Sequence, residues 1–216
     1  MSDIVDVYFS FRSPYSYLVT PDLLKLRDDY RVEVKLCPVL PIALRAKETV
    51  FDDPRGQKKV NYILTDAFRR AEYLGMHIAW PSPDPIVQDL STFEVAEEQP
   101  YIYRLSALGV AAERQGKGID LAHALSHLIF GGTEGWDQGD HMARALDAVG
   151  LNLAELEANL DLNECLSEVD NNQTRLDESG HWGVPTMVFN GEPFFGQDRI
   201  DTLRWRLDQQ GLNKHA

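Results

Sequence analysis

Two serines three residues apart, Ser13 and Ser16 in the stretch SFRSPYSYL (residues 10–18), stand where an apolar run gives way to a helical pattern. Ser13 precedes Pro14, and proline suits the first helical position because the N–H it lacks would have no partner there; Ser13 thereby takes the N-cap. Its hydroxyl then has two uses. It caps an amide of the first turn and does nothing more, or it joins the free N–H groups of the helix start in stabilising negative charge carried in by a ligand. Serine nucleophile chemistry is not indicated, since no Gly-x-Ser-x-Gly elbow surrounds Ser13 and no single histidine is marked out as its base.

The second chemical feature is Gly183-Val184-Pro185-Thr186, at the start of a strand pattern. A trans proline opening an edge strand accounts for it. So does a cis bond that turns the N–H and C=O of Val184 towards an extended peptide. His123 and His127 are four apart on a predicted helix, a spacing that suits metal ligation, but HALSH has no intervening Glu and no third ligand is evident, so no metal site is expected. Cys37 and Cys165 lie far apart without Cys-x-x-Cys spacing and read as small buried apolar residues.

The elements that must hold these residues can be read from periodicity. IVDVYFSF (4–11) puts Val5, Val7, Phe9 and Phe11 on one face of a strand. A helix from Pro14 follows, with Pro21 expected to kink or restart it at a second cap, Thr20. VEVKLCPV is a second strand, so the opening unit is β-α-β with parallel neighbours. From about 56 to 180 the pattern is helical. Val60, Ile63, Leu64, Ala67, Phe68, Ala71 and Leu74 form one stripe ending at Gly75, with Lys59, Tyr62, Asp66 and Arg69 opposite. Further helices are predicted over 94–115, 119–130, 139–149, 153–160 and 162–178, with Asn152 and Glu155 resembling a capping box. PTMVFNGEPFFG then offers two strands around Asn190-Gly191, and a last amphipathic helix carries Ile200, Leu203 and Leu207. Neither end of the chain has room for its own core. The expectation is therefore an α/β protein with a thioredoxin-like four-stranded sheet assembled from residues 1–50 and 181–216, and a large all-helical insertion at 51–180.

At 216 residues and 44% hydrophobic content, one globular unit is expected. The net charge of −13 argues against a protein that tracks nucleic-acid phosphates. No apolar run reaches the roughly 20 residues of a bilayer span and no signal peptide is visible, so a cytoplasmic location is expected.

The ordered motifs, a strand running into Ser-Pro-Tyr-Ser, a long helical stretch, Gly-Val-Pro-Thr and then Phe-Gly-Gln-Asp-Arg before the last helix, resemble the glutathione-dependent 2-hydroxychromene-2-carboxylate isomerases. That family is related to kappa-class glutathione transferases and to the DsbA oxidoreductases. The resemblance covers nearly the whole chain. It implies that Ser13 takes the place of the serine that contacts glutathione sulfur, and Ser16 that of the second cysteine of the oxidoreductases. It further implies that Val184, ahead of a cis Pro185, pairs with the cysteinyl backbone of glutathione, that Asp198 and Arg199 bind its γ-glutamyl end, and that Lys59, seven residues before Asp66, reaches its glycyl carboxylate. Arg12, Tyr15 and Tyr62 are the candidate substrate contacts. Arg12 is unfamiliar at its position and reads otherwise as an outward, solvated side chain. The Gly-Asn segment that many of these isomerases carry ahead of the lysine helix is absent, with no asparagine from 38 to 60.

The implied activity is cis-trans isomerisation of an aromatic 2-hydroxychromene or benzylidenepyruvate-type acid, with glutathione as cofactor and a homodimer as assembly. A kappa-like glutathione transferase or peroxidase, and a non-catalytic glutathione- or peptide-binding module, are the alternatives.

Overall fold

The computed structural model describes residues 3–45, 55–89, 92 and 94–215. Strand β1 (Asp3–Phe9) buries Val5, Val7 and Phe9 on one face and Tyr8 on the other, which only an interior strand of a two-sided sheet can do. Helix α1 (Pro14–Asp29) returns the chain to β2 (Val32–Pro38), parallel to β1 with Val7 opposite Leu36. Short α2 (Ile42–Arg45) follows. The helical stretch comprises α3 (Gly56–Leu74), α4 (Ile102–Glu113), α5 (Gly118–Phe130), α6 (His141–Asp147), α7 (Leu153–Ala158) and α8 (Leu162–Glu178). Strands β3 (Thr186–Phe189) and β4 (Glu192–Phe195), a 3-10 turn at Gln197–Arg199 and α9 (Ile200–Gln209) complete the chain.

The sheet has the order β2-β1-β3-β4, with β3 antiparallel to both neighbours, and so the first and last segments do pair into the expected thioredoxin-like four-stranded sheet. Its hairpin turns on Asn190 and Gly191, both at positive φ (51° and 78°), the left-handed pair that a two-residue connection requires.

Both sheet faces are covered. On one, Val5, Val7, Phe9 and Met187 join Leu23 and Leu26 of α1 and Leu105 and Leu121 of the central helices in a single core. On the other, Tyr8, Cys37 and Val39 pack with Leu176 of α8. The central helices approach the sheet closely: a Cβ at Gly109 in α4 would stand 2.9 Å from Pro38 and 3.2 Å from Phe11. Cys37 and Cys165 are both buried free thiols.

Three sequence expectations are corrected. Helix α1 does not restart at Pro21 but runs on through it; Thr20 Oγ1 donates to Tyr17 O at 2.9 Å, and this is the carbonyl that an N–H at position 21 would have served. The helix read over 94–115 begins only at Ile102, because Pro100 lacks the N–H and disfavours the helical conformation at Gln99; the buried Gln99 side chain instead bonds Val87 N and O and Ala96 O. Within α3, Ala67 and Ala71 are buried as the stripe predicts, but Ile63 and Phe68 at its margins are exposed, because the body of the protein covers a narrower arc of this helix. Among the described residues, no helix is long and apolar enough to cross a membrane.

Candidate active site

The turn after β1 sets Ser13 in extended geometry (φ −89°, ψ 117°), with its N–H donating to Ser10 O at 3.0 Å. Its Oγ accepts the Ser16 N–H at 3.1 Å, so the capping reading holds. The hydroxyl hydrogen is directed at Val184 O across 3.5 Å, the outer limit for such a bond, and is therefore weakly held. The Val184–Pro185 bond is cis, not trans. The helix start and the proline turn, 171 residues apart in the chain, thus face each other through Ser13 Oγ and Val184 O. Ser16 is fully buried and its Oγ accepts from Ser10 N at 3.5 Å, which makes it a structural residue of the turn.

Pro185 O accepts the Gly196 N–H at 2.9 Å, and Gly196 (φ 105°) leads directly into the turn bearing Asp198 and Arg199. A Cβ at Gly196 would lie 2.7 Å from Asp198 Oδ1, so the absence of a side chain there lets the carboxylate fold back. Asp198 and Arg199 pair with each other at 3.2 Å and remain about half exposed, 48% and 56%. Both are accessible to a solvent-borne ligand.

Helix α3 is brought alongside by two bonds. Tyr15 OH donates to Asp66 Oδ2 at 2.8 Å, and Arg70 Nε donates to Gln197 Oε1 at 2.8 Å. Burial, and next the bond to Asp66, push the Tyr15 phenol well above its ordinary range. A neutral, donating phenol is what remains. Asp66 is also paired with Arg69 at 3.0 Å. Lys59 lies on an exposed part of the same helix, two turns before Asp66 and about 10 Å along the axis at 1.5 Å per residue. Tyr62, between them, is 61% exposed.

Arg12 is not the outward, solvated side chain read from sequence. Its Nε and Nη2 meet Asp84 Oδ1 and Oδ2 at 2.8 and 3.0 Å, a two-armed pair whose side chains are only 15% and 21% exposed. The guanidinium carbon also lies 5.8 Å from the Trp80 ring centroid. Asp84 and Trp80 were absent from the sequence-derived site; the only signal was the proline-rich loop HIAWPSPDPI that carries them. The part of the 38–60 segment that lacks the Gly-Asn motif lies, over 46–54, outside the described residues.

His123 and His127 form a T-shaped pair with centroids 4.1 Å apart, His123 Nδ1 meeting Thr20 Oγ1 at 3.1 Å. Burial, and then the neighbouring His123, push the His127 imidazole down to about 4. They belong to the packing of α5 against α1.

The model of the DSBA-like thioredoxin domain matches residues 4–208. A 2-hydroxychromene-2-carboxylate isomerase of Pseudomonas putida is 26% identical over 208 residues, 93% of this chain and 92% of that protein. A solved 2-hydroxychromene-2-carboxylate isomerase superposes with TM-score 0.65 at 24% identity, over 96% of this chain and 95% of the other. A probable DsbA oxidoreductase from Streptomyces coelicolor superposes with TM-score 0.64 at 17% identity, over 96% and 89%. Because the matched stretch runs from the first strand into the last helix, taking in both halves of the sheet and the helices between them, this chain belongs to the DSBA-like thioredoxin domain family.

Proposed function

We propose that this protein is a glutathione-dependent cis-trans isomerase of 2-hydroxychromene-2-carboxylate or a related aromatic enone acid. The observation that carries the reading is the Ser13 hydroxyl, set at the N-terminus of a sixteen-residue helix, opposite Val184 O and with a weakly held hydrogen. Dithiol exchange at this motif is chemically closed, since Ser13 and Ser16 cannot form a disulfide. A thiol must come with the ligand. The likeness to the Pseudomonas putida isomerase supports the choice of substrate class.

The residues present fit a tripeptide thiol. Val184 would pair with its cysteinyl backbone, Asp198 with its ammonium, and Arg199 and Lys59 with its two carboxylates, all through groups that are exposed or belong to the turn beside Ser13. Bound glutathione supplies a nucleophilic sulfur that adds reversibly to the conjugated double bond, which becomes a rotatable single bond until the sulfur leaves. Ser13 donates its hydroxyl hydrogen to that sulfur in place of Val184 O. The N–H groups of the first α1 turn add their field, lowering a thiol pKa from ~8.5 towards neutrality. Neutral Tyr15 spends its one hydrogen on Asp66, so it adds no charge beside Ser13 and keeps its oxygen as an acceptor. The reading includes a cytoplasmic location and a homodimer, with glutathione and a small aromatic acid as partners and neither nucleic acid nor membrane.

Ultraviolet spectra of 2-hydroxychromene-2-carboxylate with the protein, with and without glutathione, test it. Isomerisation that proceeds without glutathione would sink the mechanism. Conjugation of chlorodinitrobenzene without isomerisation would establish a kappa-like transferase instead, and glutathione binding without either reaction a binding module.

A further inference from the structure

Arg12, the one charged residue of the SFRSPYSYL turn, is given no task by the proposed chemistry. Its partner Asp84 belongs to the segment 76–86, which has no regular structure yet is tied down along its length. Ala79 N donates to Phe130 O at 2.7 Å, Gly135 N to Ser82 O at 2.9 Å, and Trp136 Nε1 to Pro83 O at 2.7 Å. Those bonds hold it to the end of α5 and the loop beyond. Two further ties reach the start of α1: Tyr17 OH donates to His77 O at 2.5 Å, and Arg12 grips both oxygens of Asp84.

Ser13 lies between these two anchors, next to Arg12 in the chain and one turn before Tyr17. The segment is therefore tied to the chain on both sides of Ser13. Helix α3, held through Tyr15 and Asp66, and the Val184–Pro185 turn are tied to the same stretch. Trp80 rides on this segment beneath the Arg12 guanidinium, and its ring meets Phe130 edge-on at 6.5 Å. A guanidinium whose charge is already met by both oxygens of one carboxylate gains little from a second.

We infer that Arg12 is a positioning residue: its two-armed pair with Asp84 fixes the 76–86 segment, Trp80 included, as the wall against which a planar aromatic acid packs beside Ser13. The identity of that acceptor rests on the isomerase reading; the clamp itself does not. Arg12 is thereby assigned to holding the wall and not to binding the substrate carboxylate, and the two roles differ in sign when Asp84 is changed.

Asp84→Asn weakens the grip but leaves Arg12 charged. The clamp requires the KM for chromene carboxylate to rise roughly three- to tenfold in both Asp84→Asn and Arg12→Ala, with glutathione affinity kept within about twofold. A carboxylate-binding Arg12 requires the KM to fall in Asp84→Asn and to rise in Arg12→Ala, and that result would overturn the inference. Arg12→Lys keeps the charge and loses the fork, so it must also raise the KM, and it serves if the alanine variant folds poorly. Amide hydrogen exchange of the glutathione-free protein supplies a readout free of turnover: exchange must quicken over 76–86 in each variant, and unchanged exchange there overturns the clamp. Absence of isomerisation by the unaltered protein would retire the isomerase reading while the exchange result still decides the clamp.

Discussion

Thr20 Oγ1 donates to the carbonyl oxygen of Tyr17 at 2.9 Å and so fills the place of the N–H that Pro21 lacks. Thr20 Oγ1 also meets His123 Nδ1 at 3.1 Å, linking the repaired turn of α1 to α5. Because Thr20 is fully buried, Thr20→Val leaves both the Tyr17 carbonyl and the His123 nitrogen short of a partner at nearly unchanged volume. The expected loss is about 1–3 kcal/mol. Urea unfolding measures it, and Thr20→Ser should restore most of the loss; equal stability of the valine and serine variants would show that the hydroxyl does not repair the helix.

Ser13→Ala removes the donor of the proposed thiolate contact together with an N-cap. Folding stability should fall by about 1 kcal/mol, the usual worth of such a cap. The thiol pKa of bound glutathione should rise, and turnover should fall on the order of 10²-fold, as when a single charge-stabilising donor is deleted. Thiolate absorbance against pH, with and without the substitution, separates the catalytic effect from the structural one. A bound-thiol pKa that does not move would remove Ser13 from the mechanism.

Two half-buried groups make stability depend on pH with opposite signs. Burial pushes the Glu113 carboxyl up to about 7, an effect larger than the opposing one of the Leu36 N–H that it accepts at 2.9 Å. Between its ordinary 4.5 and 7 the folded chain keeps a proton that the unfolded chain has lost, so this contribution falls as pH rises through that window. His127, pushed down to about 4, refuses a proton that the unfolded chain accepts below 6.5, so its contribution falls as pH drops from 6.5 to 4. Over the shared range the two slopes oppose each other. Glu113→Gln should therefore leave a protein that loses stability more steeply on acidification, and His127→Gln one that loses it more steeply on approach to neutrality. Melting temperatures across pH 4–7 give both slopes, and parallel curves for the two variants would refute the assignment.

Gly109 sits where α4 crosses the sheet, with Pro38 and Phe11 too near to admit a methyl group without movement. Gly109→Ala should cost about 1–3 kcal/mol through overpacking, despite alanine's better helix propensity. A compensating Phe11→Leu in the same chain should recover part of it. Thermal unfolding of the single and double variants decides the matter, and a stabilised Gly109→Ala would mean that the helix shifts freely.

Much of the architecture could be read ahead of the structure because it is written in short-range patterns. The alternation around Val5, Val7 and Phe9, the Asn190-Gly191 turn and the Gly75 helix end each depend on neighbours within a few residues. The extra length given to the helix before Ile102 has two causes. Pro100 closes residues 94–99 off from the helix, a local stop that the sequence already carried, and Gln99 turns inwards to a loop twelve residues back, which only the fold shows. Arg12 shows the same limit at the site. A charged side chain beside a turn reads as solvated until Asp84, 72 residues on, arrives to pair with it.

The order of strands and helices and the loss of dithiol chemistry at Ser13 and Ser16 belong to the amino-acid sequence, since periodicity and the identity of an atom need no partner to be known. The facing of Ser13 and Val184, the anchoring of α3 through Tyr15 and Asp66, and the gripping of the 76–86 segment by Arg12 belong to the tertiary structure. Each joins groups 51 to 171 residues apart, and no local rule fixes a bond whose two halves meet only when the sheet closes.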